Sequence, residues 1–282
     1  MKRRFVGALL IFALAITLSV IGYHVSRNST NQESYFGDFD NPNRVEVNAW
    51  ITDIDPTKQL LSMMVNSVRP LGTLADENGN FAADADLTAS AIGDWWFHIA
   101  AGESADDDNL QLVITGPITD YPFDRYDSRF ELHILDADGK ELPAAVTVVN
   151  TDSFFNITTS ADEPDNAGTV IDLAIGRSAS TLVFGVFIMV LMLALAATSV
   201  IAAYYVLHWK RGLDLGAASL MAGMLFALIP LRNAVPGDPP IGSIIDFGSF
   251  FIAEATIAIS LITCVVLGYW QHMKAHAAPK PD

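Results

Sequence analysis

Cysteine and basic residues are both scarce in this chain of 282 residues. Cys264 is the single cysteine, and it lies within an apolar run. The chain therefore forms no internal disulfide and builds no zinc or iron–sulfur site that needs several cysteines. Acidic residues number 32 against 16 lysines and arginines, which gives a formal net charge of −16. Such a charge repels phosphate backbones, so nucleic-acid binding is not expected.

The usual sequence signatures of catalysis are missing as well. There is no G-x-S-x-G, S-x-x-K, P-loop, HExxH or dinucleotide-binding motif. The six histidines are scattered, and His98 and His133 fall on predicted strands. We therefore predict a protein that is not an enzyme and that holds no cofactor or metal. The alternative is an enzyme whose site is assembled by the fold, with Asp124, His98 and His133 as its candidates.

Three acidic clusters are candidate calcium-binding loops. Asp106–Asp108 and the pair Asp84 and Asp86 lack the spacing and the glycine that such a loop needs. The segment Asp136–Glu141 comes closer, but Asp-Gly between two alternating strands chiefly indicates a hairpin. Solvated turns are therefore the favoured interpretation of all three clusters.

The negative charge is confined to one region of a chain that is 51% hydrophobic. Residues 24–179 hold 27 of the 32 acidic residues and 8 of the 16 basic ones, a formal charge of −19. The remainder of the chain has a formal charge of +3. The sequence thus describes an acidic polar domain joined to apolar, slightly basic segments.

Four apolar runs approach the length that crosses a bilayer. They are Phe5–Gly22, Thr181–Leu207, Leu215–Leu231 and Phe250–Trp270. Their basic flanks are Lys2–Arg4, Lys210–Arg211 and Lys274. The positive-inside rule places all three flanks in the cytoplasm, and the acidic domain outside. If the first run were a cleaved signal, three spans would remain with the same orientation, but its length favours an anchor.

The predicted organisation follows from these spans. It comprises residues 1–23 as the first span with a cytoplasmic N-terminus, 24–43 as a linker, 44–178 as the extracytoplasmic domain, 179–209 as the second span, 213–232 as the third, 233–249 as an outer loop, 250–271 as the fourth, and 272–282 as a cytoplasmic tail.

Period-two alternation in the outward domain predicts about eight short strands. They are Val45–Ile51, Leu60–Val68, Trp95–Ala100, Asn109–Thr115, Phe130–Ile134, Ala144–Val149, Phe154–Thr159 and Val170–Ile175. Without a long amphipathic helix among them, they favour an antiparallel β-sandwich of the jelly-roll or immunoglobulin-like kind. The predicted fold class is an α+β membrane protein, with the sandwich inserted between the first and second of four transmembrane helices.

Small residues recur every four positions in two of the spans. They are Ala194, Thr198 and Ala202 in the second span, and Ser219, Gly223 and Ala227 in the third. Small residues at this spacing let helices approach closely in lipid. Packing among the chain's own spans is the simpler interpretation, and docking onto another membrane protein is the alternative.

One uncommon motif is Tyr121-Pro122-Phe123-Asp124-Arg125-Tyr126. The proline restricts its own backbone and favours an extended residue before it. We expect Asp124 and Arg125 to pair within a turn between strands, while Tyr121 and Phe123 pack. This describes a structural corner, and a coupling or docking element is the functional alternative.

The second uncommon feature is the stretch Leu225–Ala255, which carries Arg232, Asp238, Asp246 and Glu254. A carboxylate near hydrocarbon needs a partner or water. An ion pair of Arg232 with Glu254 or with Asp246 would close the helical hairpin. The functional alternative is a polar site at the membrane interface for a lipid headgroup, an ion or a proton.

At these motifs the chain resembles the family called domain of unknown function 4436 (DUF4436). Tyr121–Tyr126, His208–Gly212 and Leu225–Ala255 carry the resemblance, which covers nearly the whole chain. The family's members are mostly actinobacterial membrane proteins, mycobacterial ones included. The resemblance therefore implies a multi-pass protein of a bacterial inner (plasma) membrane, and it implies no catalytic residues.

The function expected from the sequence is that of a non-enzymatic accessory or regulatory subunit of an actinobacterial envelope assembly. Lipid import and cell-wall precursor transport are the candidate processes. Its expected partners are membrane lipid and other inner-membrane proteins, and no nucleic acid. A ligand- or ion-responsive transporter or sensor, and an envelope enzyme, are the two alternatives.

Overall fold

A computed structural model describes residue 17 and residues 32–93, 95–161, 168–209 and 214–277. The first predicted span therefore lies outside the described residues, apart from Thr17. Internal contacts divide the chain into two units. One unit consists of strands and runs to Ile118 and again over Phe123–Ser180, and the other consists of helices from Thr181 onward together with Thr119–Pro122.

The first unit contains ten described strands. They are β1 (Glu33–Gly37), β2 (Val45–Asp55), β3 (Leu60–Pro70), β4 (Ala85–Ala89), β5 (Trp95–Ile99), β6 (Asp108–Val113), β7 (Arg125–Asp136), β8 (Ala144–Asn150), β9 (Phe155–Ala161) and β10 (Thr169–Arg177). Eight of them overlap the segments in which alternation predicts a strand. The exceptions are β1 and β4.

The strands form two five-stranded sheets with a common core. Their orders are β1-β8-β2-β3-β6 and β5-β4-β7-β10-β9. Buried aliphatic and aromatic side chains of both sheets make up one cluster, in which Ile51, Leu112 and Phe130 are almost fully enclosed. Along the strands, buried positions alternate with more exposed ones, as expected when one face of a sheet packs in the core and the other faces water.

An entirely antiparallel sandwich is not what the chain forms. Strands β2 and β8 pair in parallel, with Val45 opposite Ala144 and Ile51 opposite Asn150. Parallel neighbours need a long crossover, and here nearly ninety residues of chain separate the two strands. Local alternation predicts a strand but not its partner, so the direction of this pair was not foreseeable.

Strand β1 is a correction to the predicted linker. Glu33–Gly37 pair with the edge of β8, although the segment is polar and reads as loose chain. An edge strand with one side in solvent needs little apolar character. Gly37 ends the strand with φ +88°, and a Cβ there would lie 2.1 Å from the carbonyl oxygen of Ala144, so only glycine fits.

The predicted hairpin at Asp138-Gly139 forms locally, with Leu135 paired antiparallel to Glu141, but it does not join two strands of one sheet. A tight turn does form, because the Asp136 carboxylate accepts hydrogen bonds from the backbone N–H groups of Asp138 and Lys140. Strand β7 before the turn, however, belongs to one sheet and β8 after it to the other. The chain therefore crosses from one sheet to the other just after this turn, between Leu142 and Pro143.

The second unit contains three described helices, α1 (Ala179–His208), α2 (Leu215–Asn233) and α3 (Phe251–Ala277). A π-helical turn over Asp246–Phe250 leads into α3. Asp214 caps α2, as its carboxylate accepts from the N–H groups of Gly216 and Ala217 at 3.0 and 3.1 Å. The three spans Ala179–His208, Leu215–Asn233 and Asp246–Lys274 are long and apolar enough to cross a membrane, which indicates membrane association.

Candidate functional site

A buried ion pair lies at the end of the strand unit. The Arg177 side chain contacts Asp124 through Nε at 3.0 Å and through a terminal nitrogen at 2.9 Å. The two side chains are 1% and 0% exposed. The hydroxyl of Tyr126 donates to the same carboxylate at 2.6 Å, and the guanidinium lies 4.3 Å from the centre of the Phe155 ring.

The register of three neighbouring strands positions this cluster. Strand β10 pairs with β7 so that Gly176 faces Arg125, which sets Asp124 opposite Arg177 one position further. On its other side, β10 pairs with β9, and Arg177 faces Phe155. Burial and the Asp124 hydrogen bond both raise the pKa of Tyr126, so its hydroxyl remains a donor. The cluster therefore ties together the ends of three neighbouring strands.

The predicted pairing of Asp124 with Arg125 is wrong. Arg125 is exposed, while Asp124 is buried with a partner 53 residues away. Phe123, expected to pack, is 51% exposed. Tyr121 is fully buried, and together with Pro122 it belongs to the helical unit, where it joins a cluster with Ile188 and Met192.

The second predicted site contains a tight ion pair between Arg232 and Asp246. The guanidinium donates to the two carboxylate oxygens at 2.8 and 3.0 Å, and to the carbonyls of Pro239 and Pro240 at 3.0 and 3.1 Å. Asp246 also accepts from the backbone N–H groups of Gly242 and Ser243. This is one of the two pairings that the sequence left open, and it closes the loop between α2 and α3.

The other two residues of that predicted site, Asp238 and Glu254, do not contact the Arg232–Asp246 ion pair. Asp238 lies in the exposed part of the loop with φ +40°. Glu254 is exposed on α3, because it follows Ala253, which belongs to the buried face of that helix. No hydrogen bond or ion pair joins Glu254 to any residue that the structure describes. The four residues therefore form one closed pair and two separate carboxylates.

The small-residue stripes lie on outer faces of the helices. Ala194 and Thr198 are exposed on α1, and Ala202 is half-buried. Ser219, Gly223 and Ala227 are all exposed on α2. A Cβ at Gly223 would have no neighbour within 4 Å among the described residues. The three described helices thus pack through other positions, and packing of these stripes against the first predicted span stays a prediction.

The histidines considered for catalysis each pair with a different carboxylate. His98 Nδ1 lies 2.7 Å from Asp86, and His133 Nδ1 lies 3.1 Å from Glu141. In the part of the chain that the structure describes, neither histidine contacts Asp124. Within the same part of the chain, no group of three or more His, Cys, Asp or Glu side chains is arranged to hold a metal.

A shallow cleft of about 310 Å³ opens beside the edge strands β5 and β6. Its lining includes Ile92, Trp95, Asn109 and Gln111. Among the described lining residues, these side chains offer amides and an aromatic ring, but no acid, base or nucleophile.

We predict that the pKa of His98 lies above its usual value. The hydrogen bond that His98 donates to Asp86 is the largest cause; burial opposes it, and the negative charges of Asp86, Asp84 and Glu103 add to it. The protonated form is therefore favoured in the folded state. Its contribution to stability is present below the ordinary pKa of histidine and is lost as pH rises through the raised pKa.

Titration of the ¹³C-labelled histidines by NMR in the full-length protein measures this pKa. Asp86→Asn should return the His98 titration towards the ordinary value. Asp138→Asn removes one exposed carboxylate elsewhere in the same unit and should leave it unchanged. An unshifted His98 in the unaltered protein would contradict the hydrogen bond to Asp86.

Two family sequence patterns match the chain. Domain of unknown function (DUF4436) matches residues 35–175, half of the chain, and Domain of unknown function (DUF8686) matches residues 177–271. No curated protein matches in sequence. The motif Tyr121–Tyr126 falls within the first pattern, whereas Leu225–Ala255, on which the resemblance to DUF4436 partly rested, falls within the second. With its strand unit matched almost from β1 to β10, the chain belongs to the DUF4436 family.

Proposed function

We propose that this protein is a non-enzymatic membrane protein that docks onto other membrane proteins, as an accessory or regulatory subunit of an envelope assembly. The observation that carries the proposal is that the described helices leave the stripe of α2 exposed, together with Ala194 and Thr198 of the α1 stripe. Lipid provides no hydrophobic drive between helices, so close backbone approach at small residues is a main source of helix association. Stripes that the described helices leave uncovered are suited to receive further helices.

The proposed topology has four spans, with both termini in the cytoplasm and the β-sandwich outside. The basic flanks of the apolar runs support it, as does the charge of −19 in residues 24–179. An outward domain of this charge would suit a partner with a basic face. The proposed setting is the inner membrane of an actinobacterium, where lipid import and cell-wall precursor transport are the candidate processes.

The alternative of a transporter or sensor has less support from the geometry. It needs Arg232, Asp246 and Glu254 to form one site that is open to a ligand, yet Arg232 and Asp246 are bound to each other and to nearby backbone groups. An ion or headgroup would first have to break that pair. The enzyme alternative needs His98, His133 and Asp124 to act together, and each has a separate partner.

Gly223→Leu is expected to reduce partner recovery at least tenfold without loss of folding. The new side chain would enter open space on α2, and leucine favours a helix more than glycine does. A partner helix that packs against Gly223 would be pushed away. Purification of the tagged chain in mild detergent at native expression, with quantitative mass spectrometry, measures the recovery.

Gly185→Leu is the matched control in α1. A Cβ at Gly185 would lie 3.0 Å from the Pro122 side chain, so this variant should lower stability by about 1–3 kcal/mol through internal crowding. Undiminished partner recovery with Gly223→Leu would refute the docking role of the stripe. If Gly223→Leu instead destabilises the purified chain as Gly185→Leu does, the stripe is covered by the chain's own first span.

A further inference from the structure

Glu254 is an exposed carboxylate on a helix that is otherwise apolar at that level. Phe251 precedes it by three residues and Ala258 follows by four, so both flank it on the same face. The rings of Phe251 and Phe247 are in contact, with centres 5.4 Å apart. Glu254 lies about one turn inside the apolar run Phe250–Trp270. A carboxylate in this position is costly unless a cation or water accompanies it.

The helices that the structure describes offer no free cation at that depth. Arg232 is bound to Asp246 and to two proline carbonyls. Lys274 lies 20 residues further along α3, about 30 Å away at 1.5 Å per residue. The first predicted span, Phe5–Gly22, contains no charged residue. A second copy of the chain would bring the same set of residues, and a symmetric contact would place two Glu254 carboxylates together.

We propose that Glu254 forms an ion pair with a transmembrane helix of a different protein, one that carries a lysine or arginine one to two turns below its outer end. The inference rests on the proposed function and names the chemistry of the partner. The inference is based on charge complementarity. The face around Glu254 is apolar, and its carboxylate has no cation beside it among the described residues, so the partner would supply the cation. The partner helix would cover Phe251 and Glu254 together, and pairing would offset the cost of holding a carboxylate within the hydrocarbon.

A photo-crosslinking experiment with the full-length chain in its native membrane tests the proposal. A benzophenone-bearing phenylalanine analogue replaces Phe251, and the crosslinked peptide is sequenced. The expected product is an apolar segment of another membrane protein that contains a lysine or arginine. Glu254→Gln should lower the crosslink yield at least tenfold. Asp238→Asn, which removes one carboxylate from the outer loop at a position where asparagine is tolerated, should leave the yield unchanged.

Several results would overturn the proposal. They are crosslinks to a second copy, to residues 5–22 of the same chain or to lipid alone, a partner segment without a cation, no crosslink, or a yield that Glu254→Gln does not change. A parallel purification separates this inference from the proposed function. If a membrane protein co-purifies equally with the unaltered chain and with Glu254→Gln, the accessory role stands and the ion pair fails. If the unaltered chain brings no membrane protein, both fail.

Discussion

Replacing Arg177 by methionine is expected to lower the free energy of unfolding of the strand unit by about 3–5 kcal/mol. Methionine fills a similar volume, but it leaves the Asp124 carboxylate buried without a cation. The hydroxyl of Tyr126 would be its remaining side-chain donor among the contacts of this cluster. An unpaired buried charge is far more costly than the loss of an exposed pair, since water cannot replace the missing partner.

Denaturant unfolding of the full-length protein in detergent, followed by near-ultraviolet circular dichroism, measures the change. Arg125→Met is the matched control, because that arginine is exposed on the same strand pair and should change stability by no more than about 0.5 kcal/mol. Asp124→Asn should be destabilising as well, since it removes the charge that Arg177 contacts. Equal effects of the Arg177 and Arg125 variants would contradict the buried pair.

The sequence alone could have predicted that the side chains of Asp124 and Arg177 point into the core. Asp124 is in phase with Tyr126 and Phe130, whose side chains are buried. Arg177 is likewise in phase with Ile175 on β10. Extending the period-two alternation by one step would have placed both charges in the core. A charge that follows buried positions in phase indicates a partner from a neighbouring strand rather than from the next residue.

Other features depend on information that the local sequence does not contain. The edge strand Glu33–Gly37 exists because β8 offers it an unpaired edge, not because of its own composition. The parallel pairing of β2 with β8, and the change of sheet after Asp138-Gly139, are likewise set by long-range packing. The period of the hydrophobic pattern is enough to identify a strand, whereas the strand that it pairs with is determined by packing across the whole core.

In the helical unit, the sequence identified the residues of an ion pair but not the pairing. Asp246 and Glu254 are both within reach of Arg232 along an idealised hairpin. The structure selects Asp246, which is buried at the start of the π-helical turn and adds backbone donors from the preceding loop. Glu254 follows a buried position by one residue and faces outward. The burial of Asp246 and the exposure of Glu254 explain why the first carboxylate is enclosed by the fold and the second is accessible to a partner.

Asp246→Ala is expected to destabilise the helical unit by about 3–5 kcal/mol, the second largest effect that we predict. The substitution removes the carboxylate that holds Arg232, whose side chain is only 12% exposed. Two proline carbonyls would remain for a charge that is largely out of water. It also removes the acceptor of the Gly242 N–H group, so the loop before α3 loses its closure.

Thermal unfolding in detergent, with Glu254→Gln as the matched carboxylate on the same helix, measures this effect. Glu254→Gln should leave the isolated protein within about 0.5 kcal/mol, because its side chain has no partner among the described residues. The contrast separates two roles that the sequence could not distinguish: Asp246 stabilises the fold, and Glu254 contributes through a partner. If Asp246→Ala leaves stability unchanged but alters ion flux or ligand response, the pair is a binding site, and the transporter or sensor function replaces the accessory one.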